Sequence, residues 1–298
     1  MRVSSVLFPT VVLITVISLL SIWFYPSVQE FMASNTMWNG MNELRKEFRA
    51  EQIDSMDGLP DLPEKTVLVA ISYLEYTDEE LAMVKLFIDN GGALLLMDDY
   101  GYGNSVLEYL GADARFTNKP LLDPLFNYKN QSLPRITDFA DEVKEDGIDV
   151  IMLNHATTLT NVTESSAIAW SSSASYLDMN ENGVLDQGES QGPFVVAAEF
   201  RMGKGTLAIV SDPSIAINTM VDRDDNYDFI GYLSRNAGEQ GRILVDNSHL
   251  TKAPLDVSKT RLIDTRKALS SPYALVGITA MIFVVVSRYT LKKGDIIG

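Results

Sequence analysis

The most chemically specific stretch of the chain reads Asp178-Met-Asn180-Glu-Asn182-Gly183-Val184-Leu185-Asp186-Gln-Gly188-Glu189. Side-chain oxygens at its first, third, fifth and ninth positions, a glycine at the sixth and a glutamate at the twelfth match the loop that wraps Ca²⁺. This hard cation takes six to eight oxygens at ~2.3–2.6 Å, and alternating side chains on a tight glycine turn can converge on one point. Val184 would add its main-chain carbonyl, so the expected metal set is Asp178, Asn180, Asn182, Val184, Asp186 and Glu189. With two neutral asparagines and no paired loop, the affinity expected is weak, about 10⁻⁴–10⁻³ M, suited to a structural Ca²⁺ outside a cell. The competing reading is an acidic Asn/Gly turn that holds no metal.

A second cluster follows a predicted strand: Ser211-Asp212-Pro213-Ser214, then Asn218, Asp222, Asp224, Asp225 and Asn226. The carboxyl edge of an open α/β sheet is where ligands bind. Asp98 and Asp99 end another predicted strand and could converge with this cluster. Asp98, Asp99, Asp212, Ser214, Asn218, Asp225 and Asn226 are therefore the candidate ligand-binding residues. Asp and Asn also cap helices and make turns at such places. Asp99-Tyr-Gly101-Tyr-Gly103-Asn104 stands where a phosphate-binding turn would lie. Val106 replaces the third glycine of the dinucleotide fingerprint, so a tight turn is expected instead.

Composition removes several chemistries. There is no cysteine, hence no thiolate nucleophile, disulfide or Cys-ligated zinc or iron–sulfur site. The two histidines, His155 and His249, have neither zinc-ligand spacing nor a nucleophile elbow beside them. Formal net charge is −16, and with the basic terminal segments set aside the central part carries about −19. That surface repels nucleic acid, and no nucleic-acid partner is expected.

The elements that must position these residues follow from periodicity. Thr66–Ser72 is a continuous β-branched apolar run, as for a strand buried on both faces. Thr77-Asp-Glu-Glu80 is a capping box that opens a helix with Leu81, Val84, Phe87 and Ile88 on one side. Asn90-Gly91-Gly92 ends it, Ala93–Met97 is the next buried strand, and Asn104–Leu110 is a short helix. Further strands are expected at 148–153, 167–171, 194–200, 206–210 and 243–245, with a hairpin turn at Gly203-Lys204-Gly205. A helix is expected over 39–50, and another from a cap at Asp225 to Asn236, with Gly238 past its end. The fold class expected is α/β: a flavodoxin-like or amidotransferase-like doubly wound sheet with an antiparallel addition.

Both ends are apolar. Val6 to Tyr25 carries no charge, and about 20 residues at ~1.5 Å each cross a hydrocarbon core. Tyr273 to Val286 is a second uncharged run, about 19 residues long when extended from Ser271 to Tyr289, and Arg288, Lys292 and Lys293 follow the run as a stop-transfer boundary. The expected organisation is an N-terminal transmembrane helix (1–26), an acidic α/β domain (27–249), a basic stalk (250–270), a C-terminal transmembrane helix (271–289) and a tail (290–298). Basic residues before the first helix and after the second favour cytoplasmic termini and an extracytoplasmic domain. Lys259, Arg261, Arg266 and Lys267 argue the other way.

The succession of a membrane helix, an αβ domain, the Asp-x-Asn-x-Asn-Gly loop, Gly192-Pro193-Phe194, Gly203-Lys204-Gly205, Ser211-Asp212-Pro213-Ser214, Asn218 and Asp225-Asn226 resembles the domain of unknown function 4350 family. The likeness runs from about Asn39 to Ala237. It implies an archaeal or bacterial membrane protein with a class I glutamine amidotransferase-like fold, working beside an AAA-type ATPase or transporter system. Glutaminase chemistry is ruled out, because it needs a cysteine. The leading expectation is a non-enzymatic, membrane-anchored binding or assembly subunit, with membrane lipid and membrane proteins as partners. The alternatives are a membrane-bound hydrolase using the Asp98/Asp99 and Asp212–Asn226 edge, and a solute-sensing domain.

Overall fold

In the computed structural model, residues 3–235 and 241–294 are described. The chain divides into two compact units, one made of Met1–Tyr25 with Lys252–Gly298, the other of Pro26–Thr251.

The second unit is a mixed α/β fold around a mostly parallel sheet. Its strands are β1 (Glu51–Ile53), β2 (Thr66–Ile71), β3 (Ala93–Met97), β4 (Asp138–Phe139), β5 (Ala167–Trp170), β6 (Val195–Met202), β7 (Gly205–Val210) and β8 (Arg242–Asp246). They lie in the order β1-β8-β2-β3-β7-β6-β5-β4. The first five in that order pair in parallel, and β6, β5 and β4 extend the sheet antiparallel. The antiparallel addition is therefore present. The last strand returns between the first two, an order different from the flavodoxin arrangement.

Residues alternate between the two faces of each strand. Val67, Val69, Ile71, Leu95, Met97 and Val210 face one core with Phe229 and Ile230, whereas Leu68, Leu94, Leu96 and Ile209 face another with Val84, Phe87, Ile88 and Leu107. Every residue of β2, β3 and β7 is buried, which explains their unbroken apolar character.

The helix α3 (Asp78–Asp89) begins on the expected capping box. Thr77 Oγ1 accepts from Glu80 N at 3.3 Å, and the Glu80 carboxylate accepts from Thr77 N at 2.8 Å. α4 (Gly103–Leu110) ends on left-handed Gly111. The hairpin turns at Gly203, where Met202 pairs with Gly205.

Several expectations are corrected. The helix over 39–50 shrinks to α2 (Asn42–Glu47). Of the strand at 148–153 only Ile151–Met152 pairs, with Arg135–Ile136. After the short α5 (Asp141–Glu145), α6 (Asn226–Leu233) is not capped by the Asp225 side chain, which serves other amides. Its expected end at Asn236 and cap at Gly238 lie outside the described residues.

The first unit is helical: α1 (Val3–Phe24), α7 (Pro254–Leu269) and α8 (Pro272–Gly294). The stalk is thus a helix for most of its length. Among the described residues, no helix is long and apolar enough to cross a membrane. In α1, side chains are described at Leu7 and from Pro9 to Phe24, and in α8 only in part as far as Ser287. The side chains of Arg288, Lys292 and Lys293, and residues 295–298 of the expected tail, lie outside this description. The structure therefore leaves the two expected spans unsupported as spans, while showing both as helices.

Candidate functional site

Parallel pairing sets the geometry of the carboxyl edge. Ile71, Met97 and Val210 are in register across β2, β3 and β7. The next residues, Ser72, Asp98 and Ser211, form one row, and Tyr73, Asp99 and Asp212 form a second row on the opposite face. All six are strand-end residues placed by register alone.

Asp98 is fully buried and faces α4. Its oxygens accept from Gly101 N at 2.9 Å and Gly103 N at 2.7 Å, while Tyr102 N donates to Ser72 O at 2.6 Å. A Cβ on Gly101 would lie 2.2 Å from Ser72 O, and one on Gly103 2.6 Å from Asp98 Oδ2. These glycines therefore let the backbone close around a carboxylate of the same chain. The amides a phosphate would need at the mouth of α4 are already given to Asp98. The tight-turn reading of this loop holds for a definite reason. Burial pushes the Asp98 carboxyl up to about 6, against the pull of those amides.

On the other face, Asp99 Oδ1 accepts from the Tyr73 hydroxyl at 2.9 Å and from Tyr100 N at 2.6 Å. Its pKa is raised by burial. Asp212 is fully buried, with Oδ1 accepting from Ser214 N at 2.7 Å and Oδ2 from Asn154 N at 2.6 Å. Burial, reinforced by the Asp99 charge, pushes Asp212 up to about 8. Glu30 is raised as well, first by burial and then by Asp99. The structure thus brings Asp98, Asp99 and Asp212 to one edge and adds Tyr73, Glu30 and the Asn154 amide. Tyr73 could have been found from register, since it lies two residues past Ile71 just as Asp99 lies two past Met97. Glu30 carries no local signal.

Of the remaining candidates only Ser214 touches this edge, through its main-chain amide. Asn218 accepts from Glu43 N at 2.9 Å and donates to the carbonyls of Asn35 and Met37, pinning the segment before α2. Asp225 accepts from Asp149 N and Val150 N, each at 2.9 Å. Asn226 is fully buried and accepts from Met152 N while donating to Met152 O and Met220 O, all at 2.9 Å. The Ser214 main-chain amide donates to the Asp212 side chain, which caps the short helical turn that follows it. Within the stretch from 212 to 226, Asp212, Asn218, Asp224, Asp225 and Asn226 each hold a segment distant in sequence.

The loop at 178–189 comes to the same end of the sheet. Leu121 N donates to Ala156 O, Asp178 N to Pro120 O, and Thr157 N to Ser211 O. The charges of Asp99, Asp212, Glu181 and Asp178 all act on the Tyr100 hydroxyl, whose pKa is raised chiefly by burial. Asp178 accepts from Gly183 N at 2.7 Å and Asn182 N at 3.1 Å, closing the turn around Gly183. Asn180 Oδ1 and Asn182 Oδ1 accept from the amides two residues on. Both Asn amides donate to Asp186 at 2.7 Å, and Glu189 accepts from Met179 N and Asp186 N. Asp178, Asn180, Asn182, Asp186 and Glu189 are thus tied into one hydrogen-bonded loop. Among the described residues, no group of three His, Cys, Asp or Glu is placed to hold a metal ion. The donor set still fits calcium chemically, since turning the two Asn amides would present oxygens beside Asp178, Asp186 and Glu189.

A third cluster escaped sequence reading. His249, three residues past β8, has Nδ1 2.6 Å from Asp246 Oδ2 and Nε2 3.5 Å from Glu80 Oε2, and it stacks on Tyr76 at 3.4 Å. The Tyr76 hydroxyl also donates to Asp246 at 3.1 Å. This cluster ties the chain beyond β8 to the start of α3. No sequence motif links residues so far apart.

An open, mostly parallel α/β sheet with a carboxylate-rich carboxyl edge defines the class. The chain belongs to the domain of unknown function family DUF4350, whose sequence profile matches residues 33–233. Among solved structures, the mmIFT52 N-terminal domain is similar at 14% identity and TM-score 0.54, covering 72% of this chain and 96% of that one. At that identity the likeness concerns the fold alone. A β-galactosidase from Bacillus circulans sp. alkalophilus gives 11% identity and TM-score 0.35 over 58% of this chain, which spans 23% of the enzyme's chain. A putative thua-like protein from Bacteroides uniformis gives 10% identity and TM-score 0.36 over 63% of this chain and 74% of its own. No curated protein matches the sequence.

Proposed function

We propose that the protein is a non-enzymatic binding or assembly subunit. Its terminal helices anchor it in a lipid bilayer, and its α/β unit works outside the cytoplasm. The observation that carries the reading is the outward apolar surface of α1 and α8. Leu13, Ile14 and Ile17 in α1 are 54–59% exposed, and Val276, Met281 and Phe283 in α8 are 69–71% exposed. A large apolar side chain left in water forgoes about 1.5–3 kcal/mol of burial, and soluble proteins rarely expose continuous patches of this kind. Hydrocarbon would take up that surface, and Trp23 and Tyr25 would meet the interface.

The non-enzymatic part rests on the hydrogen bonds of Asp98 and Asp212, whose oxygens accept from main-chain amides. Groups so engaged serve the fold first. Their raised pKa values favour the hydrolase alternative, but such shifts also arise in structural clusters. Partners would be lipid and membrane proteins, with an AAA-type ATPase or transporter system as the family resemblance implies. The test is extraction: the full chain should stay with membranes through alkaline carbonate washing and leave only with detergent. Release by carbonate alone would reject the anchors.

The 178–189 loop is proposed to bind Ca²⁺ structurally, which suits an extracytoplasmic unit because so weak a site fills only at millimolar calcium. In detergent, the full chain should melt several degrees higher at millimolar Ca²⁺ than in chelator. Asp178→Ala and Glu189→Ala should abolish the difference. An unchanged difference in both variants would reject the site.

A further inference from the structure

We infer that α7 is a docking surface for anionic phospholipid headgroups, an assignment that rests on the membrane reading of α1 and α8. Lys259 Nζ donates to Tyr25 O at 3.0 Å, and the Arg266 guanidinium lies 5.6 Å from the Trp23 ring. These two α7 residues are seven apart, about 10 Å along the helix axis. Arg266 reaches the last turn of α1 and Lys259 the residue just past its end, so this stretch of α7 is held at the level of Trp23 and Tyr25. At its other end only Ser270 and Ser271 separate α7 from α8. The helix therefore lies where both apolar helices of the unit begin or end.

Its charge fits that place. α7 carries Lys259, Arg261, Arg266 and Lys267 against Asp256 and Asp264, and Asp256 is buried. Arg261, Arg266 and Lys267 are exposed. In a chain whose central part carries about −19, this is a local excess of positive charge. Phosphate-bearing headgroups attract basic residues within a Debye length of the surface, and an arginine stacked on an interfacial tryptophan keeps its remaining donors for phosphate. Trp23 and Arg266 are then one device, with the ring at the hydrocarbon boundary and the guanidinium in the headgroup layer. The acidic α/β unit gives neutral lipid no comparable partner and repels anionic lipid, so α7 is the part that reads headgroup charge.

The experiment uses the full chain reconstituted into vesicles of phosphatidylcholine alone or with phosphatidylglycerol added. Amide hydrogen exchange is followed over residues 254–269. Exchange is expected to slow several-fold in the anionic vesicles relative to the neutral ones, and high salt should erase the difference. The variant Lys259→Gln/Arg261→Gln/Arg266→Gln/Lys267→Gln should exchange equally in both. Arg261→Lys/Arg266→Lys, which keeps the charge, should retain the slowing. Equal exchange of the wild-type helix in both vesicle types, with the chain still floating with them, overturns the headgroup assignment and leaves the anchors standing. A chain that floats with neither vesicle overturns the membrane reading itself.

Discussion

Asn226→Ala is expected to lower the unfolding free energy by about 3–5 kcal/mol. The side chain is fully buried and pairs with Met152 N, Met152 O and Met220 O, each at 2.9 Å. Alanine removes one acceptor and two donors and leaves three main-chain groups without those partners in a site closed to water. Each buried group so abandoned costs about 1–3 kcal/mol, and partial relaxation brings the sum below the maximum. Asn226→Asp should be no milder, because it points a second oxygen at two carbonyls. Chemical denaturation measures the effect. A ligand-binding role for Asn226 predicts the reverse pattern, with stability within about 0.5 kcal/mol of wild type.

Stability is also expected to fall as pH rises from 5 to 8, opposite to the usual behaviour of paired carboxylates. Asp212, held at about 8 by burial, keeps in the folded state a proton that the unfolded chain releases near pH 4. Where the native state binds more protons, stability decreases with pH. The contribution is full below the unfolded pKa and is lost as pH passes the folded one. Asp98, at about 6, adds a smaller decline in the lower part of the same window. The lowered carboxyls, Glu43, Glu51, Glu80 and Asp186, act in the other direction but only as pH rises to their ordinary range, so they do not mask the effect. The decline should reach a few kcal/mol by pH 8. Asp212→Asn should start less stable at pH 5, because its amide faces a main-chain donor, and should then run nearly flat from 7 to 8, above the range in which Asp98 titrates. A wild-type profile flat or rising from 5 to 8 would reject the burial argument.

The parts of the fold legible in the sequence are those whose signal is local. β2 and β3 are continuous apolar runs, and Thr77 and Glu80 announce α3 within four residues. The 202–205 turn needs only Gly203. Pairs such as Arg115–Phe116 with Leu159–Thr160 are too short to show a period, and they are fixed by the hydroxyls of Thr117, Thr157 and Thr158. Asp225 looks like a cap because Asp before a helix usually is one. Its partners lie 75 and 76 residues away, beyond any local rule. The same holds for Asn218 and Asn226, whose polar character suggested ligands although their partners are main-chain groups of the same protein. The edge formed by Asp98, Asp99 and Asp212 was legible because strand ends in a parallel sheet converge. The sequence of α7 shows only a polar, basic stalk, because its polar and apolar residues are mixed around the helix.

The absence of cysteine from the sequence permits a direct test of the anchoring claim. Single cysteines introduced as Leu13→Cys in α1, Phe283→Cys in α8 and Glu181→Cys in the 178–189 loop can be challenged with a membrane-impermeant maleimide in intact cells. The account predicts rapid labelling at 181 and none at 13 or 283 until detergent is added. Labelling of all three without detergent would contradict it.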